Sequence, residues 1–110
     1  MKNQQTLTGK ASQKEKARSI FDRALEHYRE KHLYQALQTA RYALRIARRN
    51  NDYIKAYIHG FIAAIKAELG QKELAAYYCR QALQSLFSYH PAYRSDKRYY
   101  QALLRHIEQG

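Results

Sequence analysis

A short helical motif built around alanine occurs twice in this chain, and it constrains the fold more than any other feature. The first copy spans residues 36–44 (ALQTARYAL) and the second spans residues 75–83 (AAYYCRQAL). The copies begin 39 residues apart. This period is typical of stacked helical hairpins, in which a unit buries its apolar face only against a neighbour. The chain is therefore predicted to be an all-α protein of stacked antiparallel helix hairpins.

The composition agrees with one small helical domain. The chain has 110 residues, of which 45% are hydrophobic and 26% charged, with four Gly and one Pro. This length is sufficient for a single core, and the scarcity of Gly and Pro leaves few turn signals for a β structure. Residues 1–11 are predicted to be a disordered polar tail because they show no apolar period. Residues 12–110 are predicted to form a single domain.

Apolar residues at spacings of three and four predict about five helices. The first hairpin is predicted over residues 12–49, with its second helix over 33–49, and the second hairpin over residues 52–89. Pro91 disfavours a continuous helix at that point. A fifth helix is predicted over residues 96–108, with Ser95 or Asp96 as its N-cap. This helix is expected to cover the open edge of the second hairpin.

The chain is strongly basic and carries one cysteine. Twenty Lys and Arg against nine Asp and Glu give a net charge of +11, which attracts acidic proteins, nucleic-acid phosphates or anionic lipids without choosing among them. Cys79 has no partner for an intramolecular disulfide. The polar N-terminal residues lack the apolar core of a signal peptide, and the longest apolar stretch, residues 61–65, is too short to span a bilayer. A cytoplasmic protein is expected.

Two further small residues extend the repeat pattern. Ala24 and Ala63 each lie twelve residues before the first alanine of a motif. Together with the seven-residue spacing from Ala36 to Ala43, this pattern resembles the tetratricopeptide repeat, over about residues 17–85. In that family, small residues let the two helices of each repeat cross closely. Other α-hairpin arrays share such seams of small residues.

The resemblance implies binding rather than catalysis. In such repeats the first helix of each hairpin lines a concave groove that accepts an extended peptide or a partner helix. The corresponding residues here are Arg18, Tyr28, Arg29 and Tyr57, with Gly60 on the same face. Arginine forms forked hydrogen bonds to carboxylates, and tyrosine adds rigid apolar area, so an acidic peptide or protein is the predicted partner. The competing interpretation places Tyr28 in the core and the arginines on an ordinary surface.

A second candidate surface is the arginine strip, which we define as Arg41, Arg45, Arg48 and Arg49. The helical period places the strip on one flank of the second helix, beside the apolar face. It suits nucleic-acid phosphates or an acidic partner, although cations near a helix C-terminus also simply complement the helix dipole. The Tyr- and Arg-rich residues 89–100 either stack on unpaired bases or form a linker packed under the fifth helix. Nucleic-acid binding is therefore the alternative function.

Other chemistry is not predicted. The five histidines include no pair at i and i+4 and no neighbouring cysteine, so neither a metal site nor a cofactor is expected. The chain has no glycine-rich phosphate loop, nucleophile elbow or set of convergent carboxylates. Cys79 falls on the interior side of the fourth helix, where a thiol packs well but lacks the access that a reactive cysteine needs. Enzyme activity is therefore not expected. The small number of hairpins leaves apolar edges, which favours a homodimer or a hetero-complex.

Overall fold

The structure is a computed structural model, which describes the backbone of residues 9–110 and the side chains of residues 12–110. That range contains five helices and no strand, which confirms the predicted all-α class. None of the described helices is both long enough and apolar enough to cross a bilayer. The helices are α1 (Gly9–Arg29), α2 (Leu33–Arg49), α3 (Ile54–Glu68), α4 (Lys72–Gln84) and α5 (Tyr93–Gln109).

The described residues divide into two compact units, of which the first ends at Asp52 and the second spans Tyr53–Gly110. In the first unit, α1 packs against α2 as a helical hairpin. In the second unit, α3 packs against α4, and α4 packs against α5. Each unit therefore holds one copy of the alanine motif inside a hairpin.

Tight turns with left-handed residues join the paired helices. Lys31 has a φ of 66° between α1 and α2, and Gly70 has a φ of 78° between α3 and α4. The amide of His32 donates to the carbonyl of His27 at 2.9 Å, and the amide of Gln71 donates to that of Lys66 at 2.9 Å. These bonds satisfy carbonyls that the end of a helix leaves without an intrahelical partner.

Buried alanines form the helix contacts of both units. Small side chains let helix axes approach closely, so that the larger residues beside them interdigitate. In the second unit the core also contains Cys79, Tyr100 and Ile107. The repeat motif therefore marks buried positions in the two hairpins. The alanines with no exposed surface include Ala17, Ala24, Ala36, Ala40, Ala43, Ala47, Ala63, Ala75 and Ala82.

Several helix ends differ from the sequence predictions. The first helix begins at Gly9, inside the predicted tail, and residues 1–8 lie outside the described residues. The fourth helix ends at Gln84 rather than at residue 89, and Ser85 is its C-cap, with a hydroxyl that donates to the carbonyl of Gln81 at 2.8 Å. The fifth helix begins three residues early, with Ala92 as its N-cap. The predicted caps at Ser95 and Asp96 were therefore wrong, and the amide of Ala92 instead donates to Nδ1 of His90 at 3.0 Å.

Candidate binding surfaces

The arginine strip lies on the exposed face of α2. All four of its side chains are exposed. Ile46 is buried in addition to the predicted alanines and leucines, so the buried face of α2 is wider than expected. By the helical period, Arg45 and Arg49 lie opposite the buried face, whereas Arg48 lies about 40° around the helix axis from the buried Leu44, beside that face. The helix contains no Asp or Glu, and its 17 residues make it about 25 Å long.

The guanidinium groups of the strip have no carboxylate partner in the described part of the chain. In that part of the chain Arg80 forms an ion pair with Glu108, and Oε1 of Glu30 lies 3.6 Å from Nδ1 of His32. Neither pair involves α2. Exposed guanidinium groups without an internal partner can form bidentate hydrogen bonds with the carboxylates or phosphates of another molecule.

Aromatic side chains border the strip. The ring of Tyr42 is 43% exposed. The ammonium of Lys16 on α1 lies 5.9 Å from its centroid, and the guanidinium carbon of Arg45 lies 5.8 Å from it. These distances are within the range of cation–π attraction. Tyr34, at the start of α2, is 81% exposed. We define the basic face as Lys16, Tyr42 and the arginine strip, all of which belong to the first unit.

The predicted groove residues fall in both units and differ in exposure. Arg18 and Arg29 are exposed on α1, where a separation of eleven residues places them on one side of the helix. Tyr28 is half-buried on the same helix. Tyr57 belongs to the second unit, where its hydroxyl donates to Oδ2 of Asp96 at 2.6 Å. The first three residues therefore share one unit, and the hydroxyl of Tyr57 already has a partner within the chain.

Helix α5 covers the face of α3 that the groove prediction used. A Cβ atom placed on Gly60 would overlap Cε1 of Tyr100, so the ring of Tyr100 lies directly against the α3 backbone. With Asp96 bound by Tyr57, two residues of α5 occupy this face. Tyr57 and Gly60 therefore do not line an open groove within the second unit, and a ligand at these positions would have to displace α5.

The segment that leads into α5 packs through its rings. The ring of His90 stacks on that of Tyr53, with centroids 3.6 Å apart, and the hydroxyl of Tyr53 donates to Oδ2 of Asp96 at 3.0 Å. Burial and this hydrogen bond raise the pKa of Tyr53. Two of the rings considered for base stacking, His90 and Tyr100, are thus packed inside the unit, whereas Tyr89 and Tyr99 are exposed.

Cys79 lies in the core and has a structural contact. Its side chain has no exposed surface, and its Sγ donates to the carbonyl of Tyr100 at 3.3 Å. Burial raises the pKa of the Cys79 thiol to about 11, against a smaller opposing effect of Arg80. A neutral, covered thiol lacks the thiolate character of a nucleophile.

One cluster of potential metal ligands was missed by the sequence analysis. His27, Glu30 and His32 each offer a ligand atom, and these atoms all lie within 4.8 Å of one another. The sequence prediction considered histidines four residues apart, which would lie one turn apart on a single helix. Here the ligands instead follow a His-x-x-Glu-x-His spacing across the end of α1, so only the turn at Lys31 brings them together.

Comparisons of the chain with family models, with curated proteins and with solved structures find no match. The tetratricopeptide resemblance therefore rests on the alanine spacing, and the function has to be argued from the surfaces of the chain itself.

Proposed function

We propose that the protein is a non-enzymatic binding module that recognises an acidic partner protein or peptide. The observation that carries the proposal is the exposed face of α2, on which four arginines lie without an acidic neighbour in the helix. We retain the prediction that the hairpins are tetratricopeptide-like. We also retain the predicted cytoplasmic location, because a lone cysteine stays reduced there. The proposal also includes assembly with a partner as a hetero-complex or with a second copy of the chain.

The spacing of the strip suits a partner that presents several carboxylates in a row. Arg41, Arg45 and Arg49 recur every four residues, which places their side chains one helical turn apart on one side of α2. A partner helix with acidic residues at the same spacing would meet each guanidinium in turn. An exposed pair contributes only about 0.2–1 kcal/mol, so affinity requires several pairs together, while the concentrated charge speeds encounter.

Nucleic-acid binding is the second candidate, and the same strip supports it. Each phosphate that an arginine neutralises releases counterions, which gives affinity without sequence specificity. The exposed ring of Tyr34 is available for stacking on a base. The ring of Tyr42, however, already lies near Lys16 and Arg45. Because two cations already lie near this ring, the surface favours recognition of negative charge over the stacking of bases on Tyr42.

The proposal is tested by fluorescence anisotropy with a Glu-rich helical peptide and with single- and double-stranded oligonucleotides, in a salt series. We expect peptide binding to persist at about 0.15 M salt, where the Debye length is about 8 Å. The double variant Arg41→Glu/Arg45→Glu should weaken it by at least about tenfold, the loss of roughly 1.4 kcal/mol. The matched control Arg98→Glu/Arg105→Glu makes the same charge change on exposed residues of α5 and should leave binding nearly unchanged.

Other results of the same anisotropy assay would each have a different meaning. Equal losses in both double variants would show that net charge alone attracts the peptide, and the proposal would be wrong. Oligonucleotide binding that survives at this salt while peptide binding disappears would favour the second candidate. Arg18→Glu/Arg29→Glu tests the groove prediction in the same assay: a loss would extend the surface to α1, whereas unchanged binding would remove these two residues from the site.

A further inference from the structure

The turn between α1 and α2 brings two histidines and a glutamate together. His27 lies in the last turn of α1, and Glu30 directly follows the helix. The left-handed Lys31 then reverses the chain, so that His32 returns towards His27. The amide of His32 donates to the carbonyl of His27 at 2.9 Å. The two imidazole centroids are consequently 6.3 Å apart. This juxtaposition is held by the backbone and does not depend on contacts of the exposed side chains.

The polar atoms of the cluster are incompletely satisfied within the described residues. Nδ1 of His27 is buried and has no hydrogen-bond partner there, which is uncommon because buried polar atoms normally find one. Oε1 of Glu30 lies 3.6 Å from Nδ1 of His32, beyond the length of a good hydrogen bond. The cluster therefore combines a nitrogen without a partner and a carboxylate that only approaches its neighbour.

From this geometry we propose that His27, Glu30 and His32 bind Zn²⁺. Two imidazoles and a carboxylate are a ligand set that zinc accepts, with water or another donor in the remaining position. Zinc bonds to nitrogen and oxygen are about 2.0–2.2 Å long, so the ligand atoms must move closer together than their present limit of 4.8 Å. The side chains of Glu30 and His32 are exposed and can rotate to do so without a change in the backbone.

The bound ion would join the end of α1 to the residue that precedes α2. Because the unfolded chain does not hold these ligands together, zinc binding would stabilise the folded hairpin. The site lies at the turn and its ligands do not include residues of the basic face, so the inference stands independently of the proposed function.

The test is a zinc titration of the tag-free, full-length protein, monitored by competition with a chromophoric chelator. We expect one Zn²⁺ per chain. Glu30→Gln and His32→Gln should each weaken binding by at least about tenfold, since even groups that only orient metal ligands contribute about 10- to 100-fold. The control is His106→Gln, an exposed histidine of α5, which should bind zinc like the wild type. Zinc should also raise the Tm of the wild type but not that of His32→Gln.

Two results would overturn the inference. One is unchanged zinc affinity in both Glu30→Gln and His32→Gln, and the other is an equal loss in His106→Gln, which would indicate general binding to surface histidines. Both ligand residues tested are exposed, and far-UV circular dichroism would verify that the variants keep their helices. The half-buried His27 is therefore not needed for the decision, and His27→Gln serves only as a third variant.

Discussion

Cys79 offers a direct test of the packing between α4 and α5. Its thiol is fully buried, and burial raises its pKa from 9.0 to about 11. At pH 8 this shift lowers the thiolate fraction about 100-fold, and only the thiolate reacts with iodoacetamide. We therefore expect alkylation of the native protein to be at least about 100-fold slower than in denaturant, as measured by mass spectrometry. Equal rates would show that the thiol is accessible and ionises normally.

The raised pKa values of Cys79 and Tyr53 predict how the stability of the protein changes in alkaline solution. Folding raises the pKa of the Cys79 thiol and that of the Tyr53 hydroxyl, so the folded state favours the neutral form of each group. Their contribution is complete below the unfolded pKa values of about 9 and 10, and it is lost as pH rises through the higher folded values. The free energy of unfolding should therefore fall above about pH 9. Denaturant titrations should show a shallower fall for Cys79→Ala and for Tyr53→Phe, and an unchanged fall would contradict this assignment.

Gly60 predicts the effect of adding a single methyl group. Alanine is favoured over glycine inside a helix by about 0.8–1.0 kcal/mol, but its Cβ would overlap the ring of Tyr100. Forcing extra atoms into a packed core costs about 1–3 kcal/mol, so we expect Gly60→Ala to destabilise the protein by about 1 kcal/mol in guanidinium titrations. In a Tyr100→Leu background the same substitution should become neutral or stabilising. An equal destabilisation in both backgrounds would exclude the ring contact as its cause.

Residues whose role depends on local spacing were predictable, and residues whose role depends on distant contacts were not. The burial of Ala36 and Ala63 follows from short-range periodicity, which the sequence displays directly. The bond between Tyr57 and Asp96 joins residues 39 positions apart. Periodicity cannot identify such a pair, because many tyrosines in the chain occupy similar helical positions. Tyr57 was accordingly assigned to a groove that α5 covers in the second unit.

At the scale of elements, Asp96 anchors the start of α5. Its carboxylate accepts hydrogen bonds from the hydroxyls of Tyr53 and Tyr57 and lies in the first turn of the helix, where a negative charge is favourable. Hydrogen bonds to charged groups contribute about 1.5–3 kcal/mol. We expect Asp96→Ala to lower the free energy of unfolding by about 2 kcal/mol, as measured by denaturant titration.

Two variants show whether the hydroxyl contacts cause this loss. Asp96→Asn retains an acceptor oxygen and should lose less stability than Asp96→Ala. Gln101→Ala changes an exposed residue of the same helix and should have little effect. Hydrogen exchange should show faster opening of α5 in Asp96→Ala. If the Asn and Ala variants lost equal stability, the helix charge rather than the hydroxyl contacts would explain the result.

The helix boundaries show where tertiary contacts override local signals. The bounds of α2 were predicted correctly, because its apolar period is regular and Asn51, with a φ of 48°, adopts the left-handed conformation after its end. The bounds of α4 and α5 were wrong. Between these two helices the rings of Phe87 and His90 pack on Tyr53, a contact that no local rule contains. Because α5 begins three residues earlier than predicted, Asp96 lies in the first turn of the helix instead of at its N-cap.

At the scale of the whole molecule, the charge of +11 works against compactness. Like charges close together repel, and the repulsion weakens when salt screens it. The arginine strip concentrates this effect, because Arg45 has three cationic neighbours at helical spacings of three or four residues, namely Arg41, Arg48 and Arg49. An acidic partner would relieve the repulsion, so the proposed binding surface should also be a source of instability in the unbound protein.

Added salt should therefore stabilise the unbound protein. Each like-charge pair at such a spacing destabilises a helix by about 0.2–0.5 kcal/mol, so the three pairs of Arg45 together amount to about 1 kcal/mol. Raising NaCl from about 10 mM to 0.15 M shortens the Debye length from about 30 Å to 8 Å and should recover part of this energy. In urea titrations, Arg45→Gln should therefore gain less stability from salt than the wild type.

The control for this prediction is Arg105→Gln, which removes the same charge from a different environment. Arg105 has no cation three or four residues away, and Glu108 lies three residues after it. If repulsion within the strip causes the salt effect, this variant should respond to NaCl at least as strongly as the wild type. Urea is uncharged, so it leaves the screening under experimental control. Equal reductions in Arg45→Gln and Arg105→Gln would instead assign the salt dependence to total charge, and the strip would then have no special electrostatic role in the unbound protein.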